Sequence, residues 1–476
     1  MSNSHKEKTL KGLKWSGGGQ IVKQVLNISI GIFLARLLSP TEFGLLGMIT
    51  VFTGFMQLFN DFGFGAALIQ KEQIDNKDLN SVFWFNLLTG LVFFMLLFWV
   101  SNLIADFYKT PQLVELIRWV ALIFILQALT YVQQTLFRKN LDFKTIFLVE
   151  LFGMLAGGGT ALILAYFGFG VYSLIVQLLV NSLITVVSLW LFSSWRPAFE
   201  FSVERIKNLL GYSLPLMGSS ILGYVLGNLD KLLIGRFLGN QSLGLYSRAY
   251  SLMVFPVGQI SGVISQVMFP SLAQIQTDKN RIKEIYLKMN RIISFVTFPL
   301  MGLGFLLAEP FVLFVLGEQW REMIPLFKIF TFIGALQSIG TLIGNIFMAL
   351  GEMKLYFKVN LYSGIVFILA SIIGLQFGIY GVAISYSIAS LFVGIPQWFV
   401  TGKLINLDLW DYMKSWLQNG VLTLLVVICI FAVIYFFKVE LTVLNSVFVL
   451  FSFILFYAIL MYFTNRNMVR ELRGLK

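Results

Sequence analysis

The sequence predicts an all-α polytopic membrane protein of about 14 transmembrane helices, with two six-helix lobes in a parallel pseudo-repeat around a central cavity, plus two C-terminal helices. Three observations predict it. The 476 residues are 58% hydrophobic and only 12% charged, with a mean hydropathy of +0.82. Soluble domains carry roughly 25% charged residues, so a soluble fold would lack the polar surface to cover this chain. Apolar stretches of membrane-spanning length recur along the chain, and segments of its first half return in its second half.

The predicted spans follow from stretches of about 20 mainly apolar residues, the length that crosses a bilayer core. They lie near 12–37, 43–69, 80–105, 113–137, 145–167, 170–194, 213–238, 243–273, 288–308, 323–350, 356–377, 379–401, 417–437 and 441–463. Glycine-rich turns at 168–170 and 378–381 divide neighbouring spans.

These spans predict four parts of the chain. Residues 1–195 form an N-lobe of helices 1–6, and residues 213–402 form a C-lobe of helices 7–12. A cytoplasmic linker helix, 196–212, joins them because its VERIKNLL stretch is amphipathic. Residues 403–476 hold an interfacial segment, helices 13 and 14 and a basic cytoplasmic tail.

The distribution of basic residues predicts the orientation. With the N-terminus inside, the cytoplasmic segments hold most of the 35 Lys and Arg residues, so both termini are predicted to be cytoplasmic. The same bias explains the net charge of +12. We find no basic stripe with interleaved aromatic residues outside the spans, so nucleic acid is not an expected partner.

The chemistry-bearing residues argue against an enzyme. The single cysteine, Cys429, lies in an apolar run, and the single histidine, His5, lies in the polar N-terminal tail, so no metal cluster is expected. There is no Walker sequence, HExxH or GxSxG motif. The predicted non-cytoplasmic loops are too short to hold a further domain.

An internal repeat predicts the two lobes. FLARLLSPTEFGLL at 33–46 returns as LIGRFLGNQSLGLY at 233–246, and the segment 127–144 parallels 337–354 at an offset of 210. Six spans separate the copies, an even number, so the halves share one orientation. A membrane protein whose second half restarts the first is typically a transporter with its site between the halves.

Polar side chains inside the spans are the candidate site residues, because an ionisable group costs several kcal/mol in hydrocarbon unless it faces protein or water. The predicted cavity residues are Lys23, Asn27, Gln57, Asp61, Gln127, Gln134, Asp230, Lys231 and Arg248. On the first span, Gln20, Lys23, Gln24 and Asn27 share one helix face.

Two interpretations of these residues stay open. In the first, amides join helices and Asp61 pairs with Lys23 or Arg248. In the second, Lys23, Lys231 and Arg248 give the cavity a positive field that suits an anionic substrate such as a lipid diphosphate, with Arg36 and Arg236 at the rim as rim or structural residues. Glycine clusters at 17–19 and 157–159 fit either close helix packing or helix bending.

Two segments resemble a known family. LARLLSPTEFGLLGMITVFTGFMQLFNDFGFGAALIQ, at 34–70, and DKLLIGRFLG with the LG-Y-RAY that follows, at 230–250, are similar to Wzx-type polysaccharide flippases of the MOP (MATE-like) exporter superfamily. They are closest to the branch associated with colanic acid and teichuronic acid export.

The resemblance implies a secondary active transporter that works by alternating access. It would move undecaprenyl-diphosphate-linked oligosaccharide from the cytoplasmic to the periplasmic leaflet of the bacterial inner membrane, for lipopolysaccharide or exopolysaccharide biosynthesis. No cofactor is implied beyond a coupling ion, H+ or Na+. The implied partners are this lipid-linked substrate, membrane lipids and other polysaccharide assembly proteins.

Three alternatives remain open at the level of sequence. A MATE-like multidrug or cation exporter would normally have twelve spans and a cavity dominated by acidic residues. A membrane glycosyltransferase or polymerase would need a long external loop. A scaffold without transport would not need polar side chains that share one face of a membrane span.

Overall fold

The computed structural model describes residues 3–59, 64–71 and 74–464, with side chains described from residue 18 onward except at 66, 208, 210–220, 222 and 267. Every regular element within these ranges is a helix. The chain divides into two compact units, Met1–Gly244 and Leu245–Lys476. This division does not follow the predicted boundaries at 195, 213 and 402, and the arrangement into two six-helix lobes stays a prediction.

The first unit contains eight helices and the first part of a ninth. They are α1 (Asn3–Leu37), α2 (Pro40–Gln57), α3 (Phe64–Gln70), α4 (Asn76–Tyr108), α5 (Leu113–Ala128), α6 (Tyr131–Lys139), α7 (Phe143–Tyr166), α8 (Val171–Phe192) and α9 (Val203–Gln274).

The second unit contains the rest of α9 and eight further helices. They are α10 (Lys279–Leu306), α11 (Ala308–Phe311), α12 (Met323–Gly340), α13 (Ile343–Ala349), α14 (Met353–Leu375), α15 (Gly378–Ile405), α16 (Leu409–Phe436) and α17 (Val443–Thr464). A π-helical turn, Val312–Leu316, and a 3₁₀ turn, Glu318–Trp320, follow α11.

The chain is a multi-pass membrane protein. Among the described residues, 11 helices are long and apolar enough to cross a bilayer, or 12 if the bent pair α5 and α6 is one span. The described residues therefore contain fewer membrane-crossing helices than the 14 that the sequence predicts. One reason is α9, which covers predicted spans 7 and 8 as one element and bends at Gly239, where φ is 86° and ψ is 178°. Another is predicted span 2, which divides into α2 and α3.

The backbone reproduces the predicted offset of 210 residues. Predicted spans 4 and 10 are both broken helices: α5 and α6 meet at a 43° bend, and α12 ends two residues before α13 begins. The chain then turns through a positive φ at Leu141 and at Gly351, of 57° and 72°. The turns before α8 and α15 use Gly168 and Gly378, with φ of 81° and 72°. Each pair is 210 residues apart, as the repeat predicts.

Glycines bring α1 and α7 close together. A Cβ on Gly19 would lie 2.5 Å from Cδ2 of Phe147, and one on Gly158 would overlap the Cδ1 atom of Ile30. A Cβ on Gly157 would lie 2.7 Å from the carbonyl oxygen of Gln177 in α8. These positions support the helix-packing interpretation of the two glycine clusters. Helix α1 runs through residues 17–19 without a break.

The linker between α8 and α9 differs from the prediction. Residues 193–202 are irregular, and helix begins only at Val203. Pro197 is one reason, because proline lacks an amide hydrogen and disfavours helix in the residue before it. The Ala198 amide donates to Asn80 Oδ1 at 3.0 Å, and Trp84 Nε1 donates to the Ala198 carbonyl at 2.8 Å. The predicted linker helix 196–212 is therefore wrong over its first part, which binds to the start of α4.

Buried Asp78 completes this attachment. Its carboxylate is 2% exposed, accepts from Arg205 Nη1 at 3.2 Å and pairs with Lys71. It also accepts from the Asp75 amide at 3.1 Å, which closes a capping box at the start of α4. One carboxylate thus joins the chain before α4, the start of α4 and the start of α9.

The two C-terminal helices belong to the second unit. Helix α16 packs on α10 and α17, and Asn419 Nδ2 donates to Ser294 Oγ of α10 at 2.8 Å. The predicted interfacial stretch before span 13 forms the first turns of α16 rather than a separate element. There Asp411 pairs with Lys283 at 2.8 Å.

Candidate functional site

A small polar cavity lies between α1, α6 and α7 in the first unit. Its volume is about 200 Å³. The lining residues are Gly19, Gln20, Lys23, Arg138, Phe143, Ile146, Phe147 and Glu150. The glycine at position 19 allows α1 to approach Phe147, which places Lys23, one turn later on α1, opposite Glu150 of α7.

Lys23 and Glu150 form an ion pair in this cavity. The Lys23 Nζ atom contacts Glu150 Oε2, and the side chains are 21% and 38% exposed. Such a pair offsets much of the cost of holding two charges at membrane depth. Arg138, which is exposed at the cavity, adds a second cation. The three ionisable groups together carry one net positive charge.

The cavity has the chemistry of a site for one anionic or hydroxylated group. Lysine and arginine donate charge-assisted hydrogen bonds to phosphate, and a carboxylate accepts hydrogen bonds from sugar hydroxyls. Its volume is below the roughly 300–1,000 Å³ of pockets that enclose a drug-sized ligand. It therefore fits a phosphate or part of one sugar, and not a complete lipid-linked oligosaccharide.

The other predicted site residues lie elsewhere. Of those that the structure describes, Lys23 alone lines this cavity. Asp61 falls outside the described residues. Asn27 and Gln57 are exposed. Four are half-buried: Gln127, Gln134, Asp230 and, in the second unit, Arg248.

Lys231 belongs to a hydrogen-bonded row along α9. Its Nζ donates to Asn228 Oδ1 at 3.0 Å, and Asn228 Nδ2 donates to the Tyr224 carbonyl at 2.9 Å. The single hydrogen of the Tyr224 hydroxyl is shared between the carbonyl oxygens of Thr50 and Val51 in α2, each 3.0 Å from the hydroxyl oxygen. Tyr224 therefore joins α9 to α2, whereas Lys231 bonds within α9, and its predicted contact with substrate stays a prediction.

The two predicted rim arginines have different surroundings. Arg36 is exposed, whereas Arg236 is half-buried and its guanidinium lies 5.4 Å from the centre of the Phe107 ring at the end of α4. A cation over an aromatic face is a stabilising contact. The placement of Arg236 agrees with a structural role.

The repeated segment makes a reciprocal contact with its own copy. A Cβ on Gly44 would lie 2.5 Å from the carbonyl carbon of Asn240, and one on Gly244 would lie 2.8 Å from the carbonyl carbon of Pro40. Residues 40 and 44 thus meet residues 240 and 244 in the pattern that a local twofold relation produces. Helix α2 begins after Ser39, and α9 bends at the equivalent Gly239.

Sequence reasoning did not include Glu150 or Arg138 among the site residues. Glu150 gave a usable signal, because it is a carboxylate inside the predicted fifth span. Its partner was not predictable, since the pairing of residues 127 positions apart depends on how α1 and α7 pack. Arg138 gave no such signal, because it lies among other basic residues at the end of α6.

Comparison with known proteins identifies the family. The model of the family described as "Polysaccharide biosynthesis protein" matches residues 33–325. The chain belongs to this family. The resemblance to Wzx-type flippases is confirmed, since the lipopolysaccharide biosynthesis protein WzxC of Escherichia coli K12 is 29% identical over 404 residues, 84% of this chain and 82% of that protein.

Two further comparisons extend the match. The teichuronic acid biosynthesis protein TuaB of Bacillus subtilis is 28% identical over 419 residues, 87% of this chain and 86% of that protein. The lipid II flippase MurJ, in an inward closed conformation, superposes with a TM-score of 0.77 and 16% identity, covering 95% of this chain and 99% of that one. The fold of this family member is therefore MurJ-like over most of the chain.

Proposed function

We propose that this protein is a secondary active flippase that moves undecaprenyl-diphosphate-linked oligosaccharide from the cytoplasmic to the outer leaflet for cell-surface polysaccharide biosynthesis. Family membership is the observation that carries this proposal. Relatives of matching length are polysaccharide biosynthesis proteins, and the fold is that of a lipid II flippase.

The cavity of Lys23, Arg138 and Glu150 supports an anionic substrate group. A phosphate that reaches Lys23 would compete with Glu150 for the same ammonium group, so binding exchanges one ionic partner of Lys23 for another. This exchange lets the site release its ligand as well as bind it. Lys231 and Arg248 remain proposed as further cationic contacts, with H+ or Na+ as the coupling ion.

The proposed setting is the bacterial inner membrane with both termini in the cytoplasm. In that orientation, the ends of α6 and the start of α7 lie on the cytoplasmic side, where the substrate is synthesised. The protein itself is proposed to catalyse no bond-making or bond-breaking step. Other polysaccharide assembly proteins are its expected partners.

Deletion of the gene followed by analysis of membrane lipids tests the function. We expect undecaprenyl-linked oligosaccharide to accumulate in the cytoplasmic leaflet and surface polysaccharide to fall, and expression of the intact chain to reverse both. Normal surface polysaccharide together with sensitivity to drugs would contradict the proposal and favour an exporter of small cations.

A further inference from the structure

A second cavity, in the unit Leu245–Lys476, has a different chemistry. Its volume is about 620 Å³, within the roughly 300–1,000 Å³ of small-molecule pockets. It lies among α10, α12, α15 and α16, with Phe305, Ala335, Ile388 and Gly420 among its lining residues. Lys328 of α12 is the only charged side chain among the residues that line it.

The cavity has the length and opening of a site for a hydrocarbon chain. It extends from Lys328 to Leu336 along α12 and from Trp416 to Val427 along α16, about 12–16 Å at the 1.5 Å rise of a helix. That is about half of the ~30 Å hydrocarbon core, or one leaflet. Phe332 and Leu424 line it and are 65% and 58% exposed, so its mouth is open at the surface of this unit.

Lys328 marks one end of this cavity. Its Nζ lies 5.8 Å from the centre of the Phe305 ring, near the end of α10, and it is the sixth residue of α12. No carboxylate of the described residues pairs with it. The opposite end is closed by Phe298 and Trp416, whose ring centres are 6.2 Å apart. A long apolar cavity with one cation at its end matches a lipid chain that carries an anionic headgroup.

The residues before α12 limit the charge of that headgroup. Glu309, Glu318 and Glu322 outnumber Arg321, which donates to Glu318 Oε2 at 3.1 Å. The hydrogen bond from Arg321 lowers the pKa of Glu318, which therefore stays ionised at neutral pH. An acidic loop beside a single lysine disfavours a diphosphate, which carries several negative charges, and tolerates a phosphodiester with one.

We propose that this cavity binds one anionic phospholipid, with an acyl chain along α12 and α16 and its phosphate on Lys328. By the predicted topology, the lipid sits in the non-cytoplasmic leaflet. The bound lipid fills the space among four helices of the second unit and so stabilises their packing. The site does not depend on the proposed transport activity.

Lipid binding to the purified full-length protein tests this site. The measurements are native mass spectrometry and the rise in melting temperature on titration with phosphatidylglycerol or with zwitterionic phosphatidylcholine. We expect the wild type to retain phosphatidylglycerol. In Lys328→Gln, the preference for phosphatidylglycerol over phosphatidylcholine should fall about fivefold, because one basic residue contributes about that factor to the binding of an anionic lipid. Lys328→Arg should keep the preference.

Lys414→Gln is the matched control, because Lys414 lies on α16, is exposed and does not line the cavity. It should bind phosphatidylglycerol like the wild type. An unchanged preference in Lys328→Gln would overturn the proposal, and so would an equal loss in the control. Co-purification of a polyprenyl lipid in place of a phospholipid would overturn the assignment of the occupant, whether or not the protein transports oligosaccharide.

Discussion

The contact between the repeated segments makes a quantitative prediction about Gly44 and Gly244. In each position a methyl group would meet backbone atoms, which cannot rotate away as a side chain can. The Asn240 carbonyl carbon would lie 2.5 Å from the new Cβ of Gly44→Ala, below the 3.0 Å that real Cβ contacts respect, so α2 and α9 must separate. Overpacking of this kind costs about 1–3 kcal/mol. Alanine has a higher helix propensity than glycine, which offsets up to about 1 kcal/mol of this cost.

The assay is thermal unfolding of the purified protein in detergent. We expect Gly44→Ala and Gly244→Ala each to lower the melting temperature. The double variant should lose less than the sum of the two, because one separation relieves both contacts. Gly227→Ala is the control on the same helix α9, where a Cβ meets nothing within 4 Å. Melting temperatures of all three single variants at or above the wild-type value would refute the close reciprocal contact.

Two further predictions concern charged side chains. Asp78→Ala should destabilise the protein by about 1–3 kcal/mol and raise protease cleavage within 193–202. The cost is below the roughly 3–5 kcal/mol of a fully buried pair because the Lys71 side chain is 35% exposed. The control Asp75→Ala, whose side chain is 61% exposed, should cost at most about 1 kcal/mol. Lys23→Glu alone should lower the folded yield, and the double exchange Lys23→Glu with Glu150→Lys should restore it. Export by the double variant should stay about tenfold or more below wild type, because one charge-assisted hydrogen bond to the substrate is lost. Wild-type export by the double variant would show that Lys23 has only a structural role.

The sequence was a good guide to features that depend on local chemistry. Hydropathy located most of the membrane-crossing helices, and the repeat anticipated the matching turns at Gly168 and Gly378, where positive φ favours glycine. Glycine clusters were correctly associated with close helix packing as one of two interpretations. The linker was less predictable, because residues 193–202 bind to the start of α4 instead of forming helix.

Features that depend on which helices meet were beyond the sequence. Lys23 pairs with Glu150 because α1 packs on α7, and this pairing could not be read from the sequence. The contact of α9 with α2 is made by Tyr224, which the sequence did not single out, whereas Lys231 of the seventh span donates to Asn228 of its own helix. Periodicity identifies a polar face but does not identify the neighbour of that face.

Transport by the purified protein in lipid vesicles is the most direct test of the proposed function. The measurement is the rate at which an undecaprenyl-diphosphate-linked oligosaccharide, loaded in one leaflet, becomes accessible to an impermeant sugar-oxidising reagent on the other side. We predict a rate well above that of protein-free vesicles, and a rate lowered about tenfold in the Lys23→Ala variant, which loses one charge-assisted hydrogen bond to the substrate. Equal rates with and without the intact, folded protein would contradict the assignment of this chain as a flippase.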